Sequence, residues 1–293
     1  MWIHFALFAT LLLPAALLGL RGRAGRRGSP VLLGVAFVAF VAFSSLRAVS
    51  VGNDTVEYHR VFEAIKATTS LQEAFTVSRF EYGYVLLNYL VSRVTQSFNV
   101  LLLIISVFVY GSALLFIKRY AASYSLAVLF AFGMSVFYDF MLFARQGVAV
   151  AIFLLAVPAL MERRLLRYLL LIALATQFHT SAVLLLIVYL VPVMRLSTFG
   201  DWLKWGTLIG ASMFSLSWVM NSLAASSAYY GHYLNTDYAD GGVRSATVLL
   251  IAVRVLIMLL AATCGWNAAV ETDPSGRTRN LLALAVADVA MVT

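Results

Sequence analysis

Charge is scarce in this chain, and cysteine scarcer. Only 12% of its 293 residues are charged, whereas roughly a quarter are in a soluble globular domain. The single cysteine, Cys264, lies within an apolar run. It has no partner for an internal disulfide, and no metal-ligand spacing surrounds it. There is no P-loop and no dinucleotide glycine pattern, which speaks against an ATP-driven pump. No internal repeat is visible, so an inverted-repeat transporter gains no direct support.

What the chain has is apolar sequence, at 62% of its residues. Continuous apolar runs of about 18 or more residues read as membrane spans. Because they are continuous rather than alternating, a transmembrane β-barrel is excluded. The reading is an all-α, polytopic integral membrane bundle of about nine or ten spans, a single transmembrane domain over residues 1–293. Residues 2–20 are apolar and are followed by Arg21, Arg23, Arg26 and Arg27. A signal peptide carries its charge before the apolar core, so this is read as a retained span. Its N-terminus is outside and its arginine loop in the cytoplasm. The net charge of +8 follows from basic cytoplasmic loops rather than from nucleic-acid binding.

The second span covers residues 31–46. Residues 47–97 form a polar outer-face segment, in which Val61, Phe62, Ile65, Leu71 and Phe75 point to short amphipathic helices. Tyr82–Val94 is apolar but short for a span, and reads as an interfacial or re-entrant helix. The span 100–117 then runs inward and delivers Lys118 and Arg119 to the cytoplasm. Residues 124–143 run outward, and 146–161 return to a cytoplasmic cluster of Glu162, Arg163, Arg164 and Arg167. Had Tyr82–Val94 crossed, both basic clusters would lie outside, against the usual bias. The run 165–191 is interrupted at Gln177, Phe178, His179, Thr180 and Ser181. It is read as two short helices with His179 at the outer turn and Thr180 or Ser181 capping the second. One long tilted helix is the alternative. Further spans are expected at 205–223 and 247–266, with a tyrosine-rich second outer loop at 224–245. The last apolar stretch, 281–293, is too short to span and reads as truncated, with incomplete insertion of this end the alternative.

This topology brings Asp54, Glu81, Arg145, Gln146 and His179 to the outer face. Arg145 stands between two apolar runs, where charge is costly and marks a functional site by default. Its planar fork of donors suits phosphate or carboxylate, and it opens a helix whose dipole favours anions. Snorkelling to lipid headgroups is the alternative. His179 reads as a base, a proton shuttle or an oxyanion donor, or as a helix-end residue bonded to backbone. Asp54 reads as a general base or cation ligand, or as part of an ordinary turn after Gly52 and Asn53. Tyr58 and His59 follow one helical turn later and are candidates for the same site. Glu81 is a candidate base or a helix-start carboxylate. Arg254, inside an expected span, is a substrate clamp or an ion-pair partner, with Asp288 one candidate.

The order of these motifs resembles the EpsG family of bacterial polysaccharide membrane proteins, related to Wzy-type polymerases. The matching residues are Leu46 and Arg47; Gly52, Asn53, Asp54 and Thr55 with Tyr58; and Glu81, Tyr82, Gly83 and Tyr84, followed by Leu86 to Leu90. Ile117 to Tyr120, Arg145 to Ala149 and Phe178 to Ala182 complete the set. The resemblance covers roughly residues 1–195. The chain has Gly-Asn-Asp where the family often has Gly-Thr-Asp, and Glu-Tyr-Gly where it often has Glu-Pro-Gly.

The resemblance implies a GT-C-like fold and a multi-pass protein of the bacterial cytoplasmic (inner) membrane. It implies a glycosyltransferase that polymerises exopolysaccharide or O-antigen at the outer face. The growing glycan would leave its polyprenyl diphosphate carrier for a hydroxyl on a lipid-linked repeat unit. Arg145, with His179, would stabilise the leaving diphosphate, and Asp54 or Glu81 would deprotonate the acceptor. Gln146, Tyr58, Asn53 and Arg254 would bind substrate. Tyr229, Tyr230, Tyr233 and Tyr238 would stack on sugars or form an interfacial aromatic belt. The scheme requires no metal and no cofactor. Its partners are the polyprenyl-diphosphate-linked oligosaccharide, membrane lipid and other polysaccharide assembly proteins. A flippase for lipid-linked sugars and a non-catalytic scaffold of an envelope polysaccharide complex are the alternatives.

Overall fold

The computed structural model describes residues 29–189, apart from 122, 134 and 135, together with Ala9. The chain divides into two compact units, Met1–Leu186 and Ile187–Thr293, and every element named below lies in the first. The described residues form helices and no strand. In chain order these are α1 (Pro30–Ser45), α2 (Asn53–Lys66), α3 (Leu71–Thr76), α4 (Tyr82–Val94) and α5 (Phe98–Tyr120). They continue with α6 (Tyr124–Gly133), α7 (Val136–Leu142), α8 (Ala144–Met161) and α9 (Leu165–Thr176). A 3-10 turn follows at Thr180–Leu184.

Four apolar helices pack in a row, α1 on α5, α5 on α8 and α8 on α9. The start of α1 is set locally. Ser29 accepts the Val31 amide, and Pro30 occupies a first-turn position where its missing N–H costs nothing. Along α5, Leu101, Leu102, Ile105, Ser106, Val109 and Tyr110 are buried, while Leu103, Ile104, Val107 and Phe108 are exposed. That helix is apolar on both faces, as expected where one face meets neighbouring helices and the other meets lipid. Its 23 residues extend about 34 Å at 1.5 Å per residue, enough for a hydrocarbon core of about 30 Å.

Among the described residues α5 and α8 are long and apolar enough to cross a membrane. The pair α6 and α7 would make a third span if taken together, and α1 and α9 are apolar but shorter. The remaining expected spans, at 2–20, 205–223 and 247–266, lie outside the described residues apart from Ala9, as does the short apolar stretch 281–293, so the span count among the described residues stands at two to three. The stretch 124–143, expected as one span, is two helices bent by 54° across a short break. The break falls at Gly133 and Ser135, residues of the kind that let a helix bend, which the apolar composition of the run alone does not weigh.

The polar segment folds as a small layer that packs on the apolar helices through Tyr58, Phe62, Tyr84 and Val91. Both α2 and α3 pack on α4, burying Val61, Ile65, Ala74 and Val85. These are the short amphipathic helices expected from the sequence. Arg93, near the end of α4, donates to the Ile65 carbonyl at 2.9 Å and stacks on Tyr89. It thereby ties α4 to the C-terminal end of α2. The short helix Tyr82–Val94 has the bounds read from sequence, and its main partners are α2 and α3 rather than the row of apolar helices.

Candidate functional site

Glu81 is the residue around which the site is built. It is the N-cap of α4, but its carboxylate does not cap its own helix. It turns instead toward two distant elements. Arg145, in the first turn of α8, donates to Oε2 at 2.5 Å. The Thr180 amide donates to Oε1 at 3.0 Å, and the Thr180 hydroxyl lies 3.4 Å from the same oxygen. His179 Nδ1 lies 3.7 Å from Oε1, beyond hydrogen-bonding distance but within reach of an ion pair. The breaks at Arg145 and His179, separate in sequence, therefore meet at one carboxylate.

This convergence depends on a close backbone approach. The Gly83 and Tyr84 amides both point at the Gln177 carbonyl, at 2.8 and 3.3 Å. A Cβ on Gly83 would stand 2.7 Å from the Gln177 oxygen and 2.8 Å from its Cβ. Glycine is what lets the start of α4 sit against the turn that carries His179 and Thr180. The turn forms because α9 stops at Thr176. Gln177, Phe178 and His179 then bond back to carbonyls at positions 174 and 175, and His179 becomes the extended N-cap of the 3-10 turn.

The guanidinium of Arg145 lies over the Phe80 ring, 3.9 Å from its centroid, and 6.0 Å from that of Tyr58. Charge over an aromatic face is attractive, and the stack fixes the plane of the fork. Tyr58 is buried. Its hydroxyl donates to Asp54 Oδ2 at 3.3 Å and also reaches the Arg145 guanidinium. Burial, and then the Asp54 charge, push the Tyr58 phenol up to about 12. Asp54 is thus joined to Arg145 through Tyr58. Burial pulls the His179 imidazole below its usual range; Arg145 adds to that effect, while Glu81 opposes it.

Of the residues singled out from sequence, Arg145, Glu81, His179, Asp54 and Tyr58 form one connected cluster. Gln146 is exposed beside Arg145. Asn53 opens α2 one residue before Asp54. His59 turns away from the cluster, toward Glu63 and the Phe98 ring, because adjacent helical residues point about 100° apart. Arg254 and the tyrosines of the second outer loop lie outside the described residues. Two participants were not anticipated. The ring of Phe80 has no sequence signal beyond adjacency to Glu81, and the carbonyl of Gln177 is a backbone group that no motif reveals. No group of three or more potential metal ligands occurs among the described residues.

No curated protein and no solved structure matches the chain. The EpsG family pattern matches residues 31–281, a range that holds the whole cluster and runs well past residue 195, where the recognisable motifs end. The chain therefore belongs to the EpsG family, whose members are membrane proteins connected with polysaccharide synthesis.

Proposed function

We propose that this protein is a polysaccharide polymerase, a Wzy/EpsG-like glycosyltransferase of the bacterial cytoplasmic membrane. It transfers a growing glycan from polyprenyl diphosphate to a lipid-linked repeat unit at the outer face. The observation that carries the reading is the convergence of Arg145, His179, Glu81 and, through Tyr58, Asp54 from four separate stretches of chain. In the reaction an acceptor hydroxyl oxygen bonds to the anomeric carbon as the bond from that carbon to the diphosphate breaks. The hydroxyl proton passes to a carboxylate, and the diphosphate departs with its charge.

Geometry divides the roles of the two carboxylates. Both oxygens of Glu81 are engaged, one by Arg145 and the other by Thr180. A carboxylate held this way is suited to aligning Arg145 and less suited to taking a proton. Among the described residues of the site, Asp54 accepts a side-chain hydrogen bond from Tyr58, which leaves lone pairs for an acceptor hydroxyl. Asp54 is therefore assigned as the base, Glu81 as the residue that aligns Arg145, and Arg145 as the group that receives the diphosphate. His179, neutral near pH 7, is a hydrogen-bond donor at the same end. Gln146, Asn53 and Arg254 are assigned to substrate binding.

The test is polymerisation of lipid-linked repeat units by the purified full-length protein in bilayers. Arg145→Ala and His179→Ala should each abolish long product while the protein keeps its helical content and elution profile. Full activity in both variants would remove the site assignment.

A further inference from the structure

Arg47 belongs to the sequence pattern shared with the family but takes no part in the chemistry above. It is 5% exposed, and no ion pair reaches it among the described residues. Its Nη1 donates to the Ser44 carbonyl at 2.7 Å and to the Ser44 hydroxyl at 3.1 Å, and its Nε lies 3.4 Å from Thr55 Oγ1. Ser44 also receives the Ser106 hydroxyl of α5 at 2.8 Å. Burying a guanidinium without a carboxylate is expensive. A device of this kind persists where the hydrogen bonds it makes hold something in place.

What it holds is the start of α2. A helix start is normally fixed by a side chain at the N-cap, but the N-cap here is Gly52, which makes no such bond. Gly52 is itself constrained, at φ +94°, with Leu142 2.7 Å and Thr55 Oγ1 3.0 Å from where a Cβ would stand. The hydroxyl of Thr55 meets Arg47 in the first turn of α2, and Asp54 is the preceding residue. We propose that Arg47 is a positioning residue, which anchors Thr55 to the end of α1 and so sets the carboxylate of Asp54 against Tyr58 and the acceptor hydroxyl. This rests on the assignment of Asp54 as the base. Arg47 also satisfies a C-terminal carbonyl of α1, where a cation is favoured by the helix dipole. That capping alone would affect folding and not the reaction.

The experiment uses full-length protein reconstituted in bilayers and lipid-linked repeat units, with rates expressed per folded molecule across pH. Thr55→Val keeps the shape of the side chain and removes the oxygen that meets Arg47, and Thr55→Ser keeps that oxygen. Thr55→Val and Arg47→Ala should each lower kcat about ten- to a hundredfold, the scale expected of a small misplacement of a reacting group. KM should change little, and the acid limb of the pH profile should move. Thr55→Ser should stay near wild type, and the double variant should be no worse than Arg47→Ala. Wild-type kcat and pH profile per folded molecule in Thr55→Val would overturn the proposal. Asp54→Asn separates the two readings. If it is inactive while Thr55→Val behaves as wild type, only the role of Arg47 falls; if Asp54→Asn keeps full activity, both fall.

Discussion

The protein carries two largely buried arginines in its described half, and their surroundings differ. Arg47 is held by a carbonyl and two hydroxyls, all uncharged. Arg145 is held by a carboxylate and lies over an aromatic ring, with 19% of its side chain exposed. A cation fixed by neutral oxygens has nothing to exchange, and its hydrogen bonds serve as a fastener. A cation paired with a carboxylate at a partly open position can trade that anion for another, and a guanidinium accepts phosphate oxygens through the same fork. On the proposed function, the difference is that between a cation that holds structure and one that receives an anion.

The largest effect should come from testing the fork itself. Lysine keeps the charge and loses the planar geometry. Arg145→Lys should lower kcat by about 10²–10³, the scale of losing one preorganised donor, whereas Arg47→Lys, which acts on Asp54 only through the lost Thr55 contact, should lose clearly less, about tenfold. Polymerisation rates of the two variants, per folded molecule, decide the matter. Equal losses would erase the distinction.

A second prediction concerns Glu81. Glu81→Gln removes the anion that competes for Arg145, so KM for the lipid-linked substrate should fall. Because Arg145 loses its alignment, kcat should fall too, yet a measurable fraction should remain. Asp54→Asn should instead drop to background. Steady-state kinetics on both variants separates alignment from base catalysis. A Glu81→Gln protein at background beside an Asp54→Asn protein that keeps measurable turnover would reverse the two roles.

Much of this was legible in the sequence, and the boundary is physical. Unbroken apolar runs read as helices, and basic clusters at Lys118 and Arg119 and at Arg163 and Arg164 fixed which breaks share a face. The bounds of α4 were readable because Glu81 and Thr95 flank a short apolar run. The partner of Arg145 was not readable. Glu81 lies 64 positions away, and nothing local tells an interfacial arginine whether it will find a carboxylate, a ring or a headgroup. The role of Arg47 was hidden for a related reason. Its partners are a backbone carbonyl and hydroxyls, which leave no charge pattern. The bend between α6 and α7 falls where Gly133 and Ser135 interrupt the apolar run, a signal of the kind that marks kinks but that a count of apolar residues passes over.

Gly83 gives a smaller effect, confined to one side of the comparison. Gly83→Ala would push a methyl group into the Gln177 backbone, at a cost of about 1–3 kcal/mol, the usual range for overpacking. Thermal unfolding of the purified protein should show the loss. The Arg145 site should loosen, because Gly83 is what lets α4 meet the His179 turn, and the start of α2 at Arg47 should not. Hydrogen exchange at the Tyr84 and Thr55 amides reads the two sites separately.

The smallest effect comes from pH, and it sharpens the same contrast. Arginines do not titrate in the usable range, but His179 does. Burial holds its folded pKa below the usual value of 6.5, with Arg145 acting in the same direction. The unfolded imidazole therefore takes up its proton first as pH falls, so unfolding is coupled to proton uptake in that window. The contribution to stability is complete above about pH 6.5 and is lost as pH drops toward the lower folded value. His179 is partly exposed, so the change should be modest. Exchange at the Gly83 and Tyr84 amides, which bond the turn carrying His179, should accelerate between pH 7.5 and 5.5 relative to the intrinsic rate. Exchange at Thr55, beside the untitratable Arg47, should follow the intrinsic rate alone. In His179→Gln the acceleration at Gly83 and Tyr84 should shrink; if it persists undiminished, His179 is not the group that loosens the site.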